Sequence, residues 1–375
     1  MDFSYSEEQQ MLADSLRRLV ANKYSFAQRR AISRTQGAFS RDIWADLADM
    51  GVLGLTVSSG YGGFGEGAAS RLVVQRELGR ALVLEPVIPS AVCATALLER
   101  FGSPAQKDRL LPELASGSRI ATLAWQEPGT RYRTDTAATT ATRTDGGYVL
   151  NGSKSLVWHG AVADYLIVSA RMAGTQQISL FLVERAAGGL QLTAYPTMDG
   201  QCAADLTFAN VEIASQALIG GEGAGVPALE HALDHGIAAL CAEMAGAMER
   251  LIEITTEYLG TRRQFGVPLA SFQALQHRVA EMLIQKELAL SMAYVAAQAL
   301  DEPDAATRAR MVSAAKVTLA RAGRFVGQQA VQLHGGMGMT DELEVGDYFK
   351  RLTMADTLFG DSDTHIERYC TAAFA

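Results

Sequence analysis

The sequence predicts an α+β chain in three parts: an N-terminal helical domain, a middle β-barrel or sandwich domain, and a C-terminal antiparallel four-helix bundle. Three observations carry this. Apolar residues recur at helical spacing up to about residue 118. From about 119 to 225, short runs rich in β-branched and aromatic residues alternate with turn signals. After 225, long helical patterns are joined by short connections, as in a bundle. The expected domains are 1–118, 119–225 and 226–375, and 375 residues suit about two or three domains.

In the first domain, Ser6 with Gln9 has the spacing of a capping box, and Leu12, Leu16, Leu19 and Val20 form one apolar stripe. Asp42 to Met50 reads as a short helix stopped by Gly51, followed by the glycine-dense loop GVLGLTVSSGYGGFGEG. Ala68 to Arg80 and Pro86 to Phe101 resume helical spacing. In the middle domain, ATLAWQ, TAATTATRT, GYVLNGS, YLIVSAR, ISLFLVE and ADLTFANVEI read as strands, with DGG, NGS and AAGG as turns. In the last domain the helices are expected over Pro227–Leu259, Ala270–Leu300, Ala305–Leu333, Glu342–Thr357 and Thr364–Ala373.

Two stretches in the bundle concentrate chemistry. TRRQFG, Thr261 to Gly266, follows one long helix and offers two guanidiniums, an amide and an aromatic ring beside a glycine. QLHGGMG, Gln332 to Gly338, follows another and offers an amide and two adjacent glycines where backbone approaches a ligand closely. Arginine's planar fork suits phosphate. Together the two suit a pyrophosphate-containing cofactor without a GxGxxG turn, while each alone also reads as a solvated helix end with a glycine cap.

The bulk properties exclude several classes. A net charge of -8 argues against a nucleic-acid or anionic-membrane partner. No apolar run reaches the ~18 residues of a membrane span. The start, MDFSYSEEQQ, resembles no secretory or import signal, so the expected address is the cytoplasm. Cys93, Cys202, Cys241 and Cys370 have no CxxC spacing and suit a reducing compartment. None of the six histidines has Glu three residues before it, which excludes a di-iron bundle site. His159, His231, His235, His277, His334 and His365 read as surface or core residues, and no metal is expected. GxSxG, HExxH and Walker sequences are absent.

RRQFG, QLHGGMG, YGGFG at 61–65, ELGR at 77–80 and QEPG at 126–129, in helical–β–helical order, resemble the acyl-CoA dehydrogenase flavoprotein family over nearly the whole chain. More narrowly, AALCAEMAGAMERL, RRQFGVPLASFQALQHR, GRFVGQQAVQLHGGMGMT and DYFKRLTMADTLFGDSD resemble the pimeloyl-CoA dehydrogenase small-subunit branch, whose relatives form one half of heteromeric enzymes. The resemblance implies FAD, an acyl-CoA thioester substrate, α,β-dehydrogenation with a carboxylate base, and an electron-transferring flavoprotein as acceptor. It implies an assembly of dimers of dimers, with self or with a homologous large subunit.

The departures from that family are specific. The position of the usual Glu base is Gly360, and that of the second branch's base is Gly236, beside Ile237 where the family has Arg. Asp361 and Asp363 stand close by as relocated base candidates, and Asp363 also suits the N-cap of the last helix. The family's TEPGAGSD reads Gln126-Glu127-Pro128-Gly129-Thr130-Arg131-Tyr132-Arg133 here, and its W-x-T segment reads Leu156-Val157-Trp158. Family sites lie across two subunits. The resemblance assigns Gln126 and Trp158 to the flavin-ring side. It assigns Arg262, Gln264, Phe265, Gln273, Gln332, Gly335 and Gly336 to the pyrophosphate and adenosine side, reaching in from the neighbour. The second set is kept and the first eroded. Three readings follow: a base-lacking small subunit of a heteromer, an active homomer using Asp361 or Asp363, or a flavin-free scaffold subunit. The small residues Gly236, Gly246 and Gly360 are expected to widen the acyl slot for a branched, cyclic or dicarboxylic group.

Overall fold

The computed structural model describes residues 5–374. In chain order the first helices are α1 (Glu7–Lys23), α2 (Phe26–Ser33), α3 (Arg41–Asp49) and α4 (Ala68–Arg80); a π-helical segment, Val87–Ala94, runs into α5 (Thr95–Phe101), and α6 (Pro104–Ala115) follows. The strands are β1 (Ala121–Ala124), β2 (Thr140–Thr144), β3 (Gly147–Trp158), β4 (Tyr165–Met172), β5 (Ile178–Glu184), β6 (Leu190–Pro196), β7 (Cys202–Ala214) and β8 (Leu218–Ile219). Then come α7 (Gly225–Thr261), the short strands β9 (Arg263–Gln264) and β10 (Val267–Pro268), and helices α8 (Gln273–Ala299), α9 (Ala305–His334), α10 (Val345–Thr357) and α11 (Ser362–Phe374).

Local chemistry sets most helix starts. Ser6 and Gln9 form the expected capping box on α1. A second box, Ser103 with Gln106, opens α6 with Pro104 inside its first turn. Asp304 accepts from the Thr307 amide at the head of α9, and Gly335 ends that helix at φ +59.

By contacts the chain divides into two compact units. One holds the residues up to Arg30, Ala68–Val83 and the chain from Ile237 on. Here α9 is the central helix, with α8, α10 and α11 packed on it. Its buried stripe includes Val312, Ala315, Leu319, Ala322, Val326 and Ala330. The crossing of α4 and α7 is close enough to need glycine on both sides. A Cβ on Gly79 would lie 2.0 Å from the Glu243 carbonyl oxygen, and one on Gly246 would lie 1.9 Å from that of Arg76. Gly246 therefore widens no slot, contrary to the expectation from sequence; it faces helix backbone.

The other unit holds Ala31–Gly67 and Leu84–Gly236. The expected β runs form one mixed sheet of eight strands, ordered β6-β7-β3-β2-β4-β5-β8 with β1 also beside β4. β1 and β2 both run parallel to β4, and the other pairings are antiparallel. β4 and β5 are buried almost end to end, as strands covered on both faces are. Edge strand β6 is largely exposed or half-buried.

Candidate functional site

The helix α7 ends in a hairpin that lifts one ring into solvent. β9 pairs with β10 in the register Val267 opposite Gln264, so Phe265 and Gly266 are the two turn residues. Both have positive φ, +54 and +82, the signature of a type I′ turn. That conformation disfavours a bulky residue by roughly 1–2 kcal/mol. Yet Phe265 holds it and is 90% exposed, with only an edge contact to Phe272 at 6.2 Å between centroids. An aromatic ring held at a backbone cost and left in water points to a missing contact surface.

The polar groups around it are also turned outward. Arg262, Gln264 and Gln273 are exposed. Among the described residues no side chain or carbonyl holds the Arg262 guanidinium, whereas Arg263 donates to the Gly266 carbonyl at 3.0 Å. Gln264 Nε2 donates to the Arg263 carbonyl at 2.9 Å.

The second predicted stretch is brought to the same end of the bundle by contacts that sequence reasoning missed. Tyr258, one turn before Arg262, stacks on His334 with centroids 4.3 Å apart at 27°. Its hydroxyl donates to the His334 carbonyl at 3.4 Å. Arg278 Nη1 donates to Gln329 Oε1 at 2.7 Å, tying α8 to α9. Gln332, Gly335 and Gly336 lie exposed just beyond, and a Cβ on either glycine would meet nothing within 4 Å. His334 Nδ1 donates to the Ala330 carbonyl at 2.8 Å, and burial pushes its pKa down, so it is neutral. An aromatic four residues before Arg262, on the same helix face, was the sequence signal for this brace.

Gln126 and Trp158 belong to the sheet-bearing unit and meet each other's segments there. The Ser155 amide donates to the Gln126 carbonyl at 2.9 Å. The Trp158 indole N–H donates to Gln201 Oε1 at 2.5 Å, and Thr122 donates to the Trp158 carbonyl at 2.7 Å. Beneath them lies a buried ion pair that the sequence did not reveal. Lys154 Nζ lies 2.6 Å from Glu127 Oε1 and 2.9 Å from Ser169 Oγ, with the lysine side chain fully buried. Burial pushes the Glu127 pKa up, but the Lys154 charge and donors from Lys154, Thr139 and Ala138 outweigh it and hold the carboxyl below its usual range. For Lys154 burial wins over Glu127 and brings the ammonium down to about 8.

The aspartates near residue 360 are placed differently from the sequence expectation. Asp361, not Asp363, caps α11: its Oδ1 accepts from the Thr364 amide at 2.9 Å and the Thr364 hydroxyl at 2.7 Å. Asp363 sits exposed in the first turn of that helix. Gly360 is buried at φ +115, and a Cβ there would lie 2.8 Å from His365 Nε2. It widens no slot either. Gly236 is buried within α7. Among the described residues no group of three or more His, Cys, Asp or Glu is placed to hold a metal ion.

Three family models match along the chain in the order of these parts: the acyl-CoA dehydrogenase N-terminal domain over residues 6–118, the middle domain over 122–211, and the C-terminal domain over 223–372. The chain belongs to the acyl-CoA dehydrogenase family. A 2-methylacyl-CoA dehydrogenase, mitochondrial, of Solanum tuberosum is 32% identical over 344 residues, spanning 88% of this chain and 82% of that protein. Among solved structures, a variant of the Tcur3481-Tcur3483 steroid ACAD is similar with a TM-score of 0.88 at 28% identity, covering 98% of each chain. The ChsE4-ChsE5 complex from Mycobacterium tuberculosis is similar with a TM-score of 0.89 at 26% identity, covering 100% of this chain and 99% of that one. Acyl-CoA dehydrogenases are FAD-dependent oxidoreductases, and heteromeric assemblies occur among the relatives of this one. No helix among its described residues is long and apolar enough to cross a membrane.

Proposed function

We propose that this acyl-CoA dehydrogenase chain is the base-lacking small subunit of a heteromer, of the pimeloyl-CoA dehydrogenase small-subunit type, and that it donates half of a flavin site to a homologous large subunit. The observation that carries this is the outward grip at the end of α7: an unpartnered Arg262 guanidinium beside a Phe265 ring that is 90% exposed on a positive-φ turn. These groups suit the nucleotide end of FAD. Arg262 matches the pyrophosphate charge, Phe265 offers a flat face to adenosine, and Gln264, Gln273 and Gln332 offer amides. Gly335 and Gly336 leave room for backbone to approach the ligand. The flavin-ring side is furnished differently. Trp158 stands where the resemblance places a small hydroxyl, and its N–H is already engaged by Gln201. Gln126 stands where the family has Thr.

When bound, FAD supplies the hydride acceptor for α,β-dehydrogenation of an acyl-CoA thioester. This chain's residues hold the cofactor's nucleotide end, while the partner supplies the Glu that removes the α-proton. An electron-transferring flavoprotein in the cytoplasm would serve as the electron acceptor for the loaded enzyme. Association through the bundle is supported by exposed apolar residues at the start of α8 and along it: Phe272, Leu283, Ile284 and Leu288, at 37%, 42%, 57% and 53% exposure. Dimers of dimers are the assembly this favours. The homomer reading loses support because the Asp361 carboxylate is engaged as a helix cap and Asp363 faces solvent.

Purifying the chain alone, and co-expressed with a homologous subunit carrying the Glu base, tests the reading. Flavin absorbance per chain is expected to be low alone and stoichiometric in the complex, with turnover only in the complex. A chain that carries one FAD by itself and dehydrogenates an acyl-CoA contradicts it.

A further inference from the structure

The place of residue 360 is not simply empty. Four helices of the bundle converge behind it. From α9, Lys316 is fully buried, and its Nζ donates to the carbonyls of Asp356 at 2.8 Å and Gly360 at 2.9 Å. One carbonyl ends α10 and the other lies in the loop that leads to α11, so a single ammonium fastens both ends of the turn. From α11, His365 is 2% exposed and its ring is tied on both sides. Nε2 lies 3.1 Å from the Phe359 carbonyl and Nδ1 lies 3.2 Å from Ser313 Oγ. A carbonyl only accepts, so Nε2 carries the proton and Nδ1 takes the serine's. The loop between these anchors has two successive positive φ values, +60 at Phe359 and +115 at Gly360. The value is costly at Phe359, where it persists only because the surroundings over-determine it, and free at Gly360, where only a residue with a side chain would be strained.

We propose that His365 is a plug, fastened by Ser313 and by the Lys316-held loop, which occupies the room that a side chain on residue 360 would need. This rests on the base-lacking reading for its functional meaning, but not for its geometry. Under that reading the carboxylate has been lost together with its space, so a single substitution cannot restore it and the chain is committed to serving its partner's site. Nor does His365 replace the missing base. Its Nε2 is a donor, its Nδ1 lone pair is engaged, and burial with the nearby Lys316 charge pushes its pKa down to about 3. Cys241 of α7 borders the same cluster and is raised to about 12 by burial, so it offers no thiolate.

A double-variant cycle on the whole chain tests the plug without flavin or substrate. Gly360→Ala brings its methyl to the imidazole, and His365→Ala removes the obstacle. Each alone is expected to lower the thermal midpoint by a few degrees. Together they should lower it less than the sum, because the clash exists only when both groups are present. Strict additivity overturns the plug. If Gly360→Ala does not fold, recovery of folding in the double variant supports it, whereas failure of both puts the obstacle in the backbone and overturns the assignment to His365. As a second readout, Gly360→Glu alone is expected to give no exchange of an acyl-CoA α-proton with D2O in the presence of FAD. Exchange with an unchanged thermal midpoint would overturn the proposal. The cycle's outcome stands whether or not the chain has a heteromeric partner, so the two readings fail separately.

Discussion

A methyl group added at Gly246 should be far more damaging than one added at Gly260 of the same helix, and the two should act with opposite sign. At Gly246 the new carbon would stand 1.9 Å from the Arg76 carbonyl oxygen and 2.8 Å from its carbon. Ordinary contact needs roughly 3.5 Å, so α4 and α7 would have to part by about 1.5 Å. That separation also strains the ion pairs across the crossing, Arg76 to Glu249 at 2.7 Å and Arg80 to Glu253 at 2.9 Å. These pairs are partly exposed and contribute little each. The overpacking itself costs ~1–3 kcal/mol or more, which puts Gly246→Ala near ~3 kcal/mol and the drop in midpoint near ~6–12 °C. At Gly260 a Cβ meets nothing within 4 Å, so Gly260→Ala gains only helix propensity. That is about 0.5–1 kcal/mol of stabilisation. Thermal melts followed by circular dichroism at 222 nm decide the matter. A Gly246→Ala midpoint within a degree of wild type, or two shifts of the same sign, would refute the backbone-contact account.

Other consequences are equally specific. Lys154→Met leaves the Glu127 carboxylate buried without its cation and should cost ~3–5 kcal/mol in denaturant melts, with Glu127→Gln in the same chain recovering most of it. Because the folded Glu127 pKa lies below its unfolded value, its contribution is present above about pH 4.5 and should be lost as pH falls through the folded value. Lys154, lowered to about 8, works the other way at the alkaline end: folded chains bind its proton less tightly than unfolded ones, so stability should rise between about pH 8 and 10.5. Asp361→Asn should cost less than ~1 kcal/mol of stability, since asparagine also caps, and should leave turnover of the proposed heteromer within a few fold. A loss of ~10²–10⁴ with flavin retained would instead mark Asp361 as the base. Arg262→Ala should weaken ADP binding by ~10–100-fold, the worth of one charged hydrogen bond, without moving the thermal midpoint.

Much of the architecture was legible because it rests on local pattern. The helix expected over Ala305–Leu333 is observed over Ala305–His334, and the Ser6–Gln9 capping box is present. Periodicity and caps are properties of neighbouring residues, so sequence exposes them. The parallel pairings of β1 and β2 with β4 join distant segments and left no such mark. Glycines misled for a related reason. A glycine announces missing bulk but not what fills the space, which is carbonyl backbone at Gly246 within α7 and an imidazole at Gly360 in the loop before α11. Lys154 and Lys316 carried no sequence sign of being fully buried, since lysine is mostly a surface residue. The capping acid was displaced from Asp363 to Asp361 because helix ends are the least certain part of a periodic pattern. The residues of the proposed grip, by contrast, stood out as motifs: RRQFG and QLHGG bring two guanidiniums, an aromatic and paired glycines to helix ends, while their exposure is visible only in the fold.

The most direct test of the proposal that this chain holds only the nucleotide end of FAD is calorimetric titration of the purified chain with FAD, ADP and FMN at one salt concentration. If the flavin-ring half belongs to a partner, ADP and FAD should bind with affinities within about threefold, since the ring adds no contact, and FMN should not bind measurably. FAD binding a hundredfold or more tighter than ADP, about 2.7 kcal/mol of ring contact, would show that this chain holds the whole cofactor and contradict the half-site account.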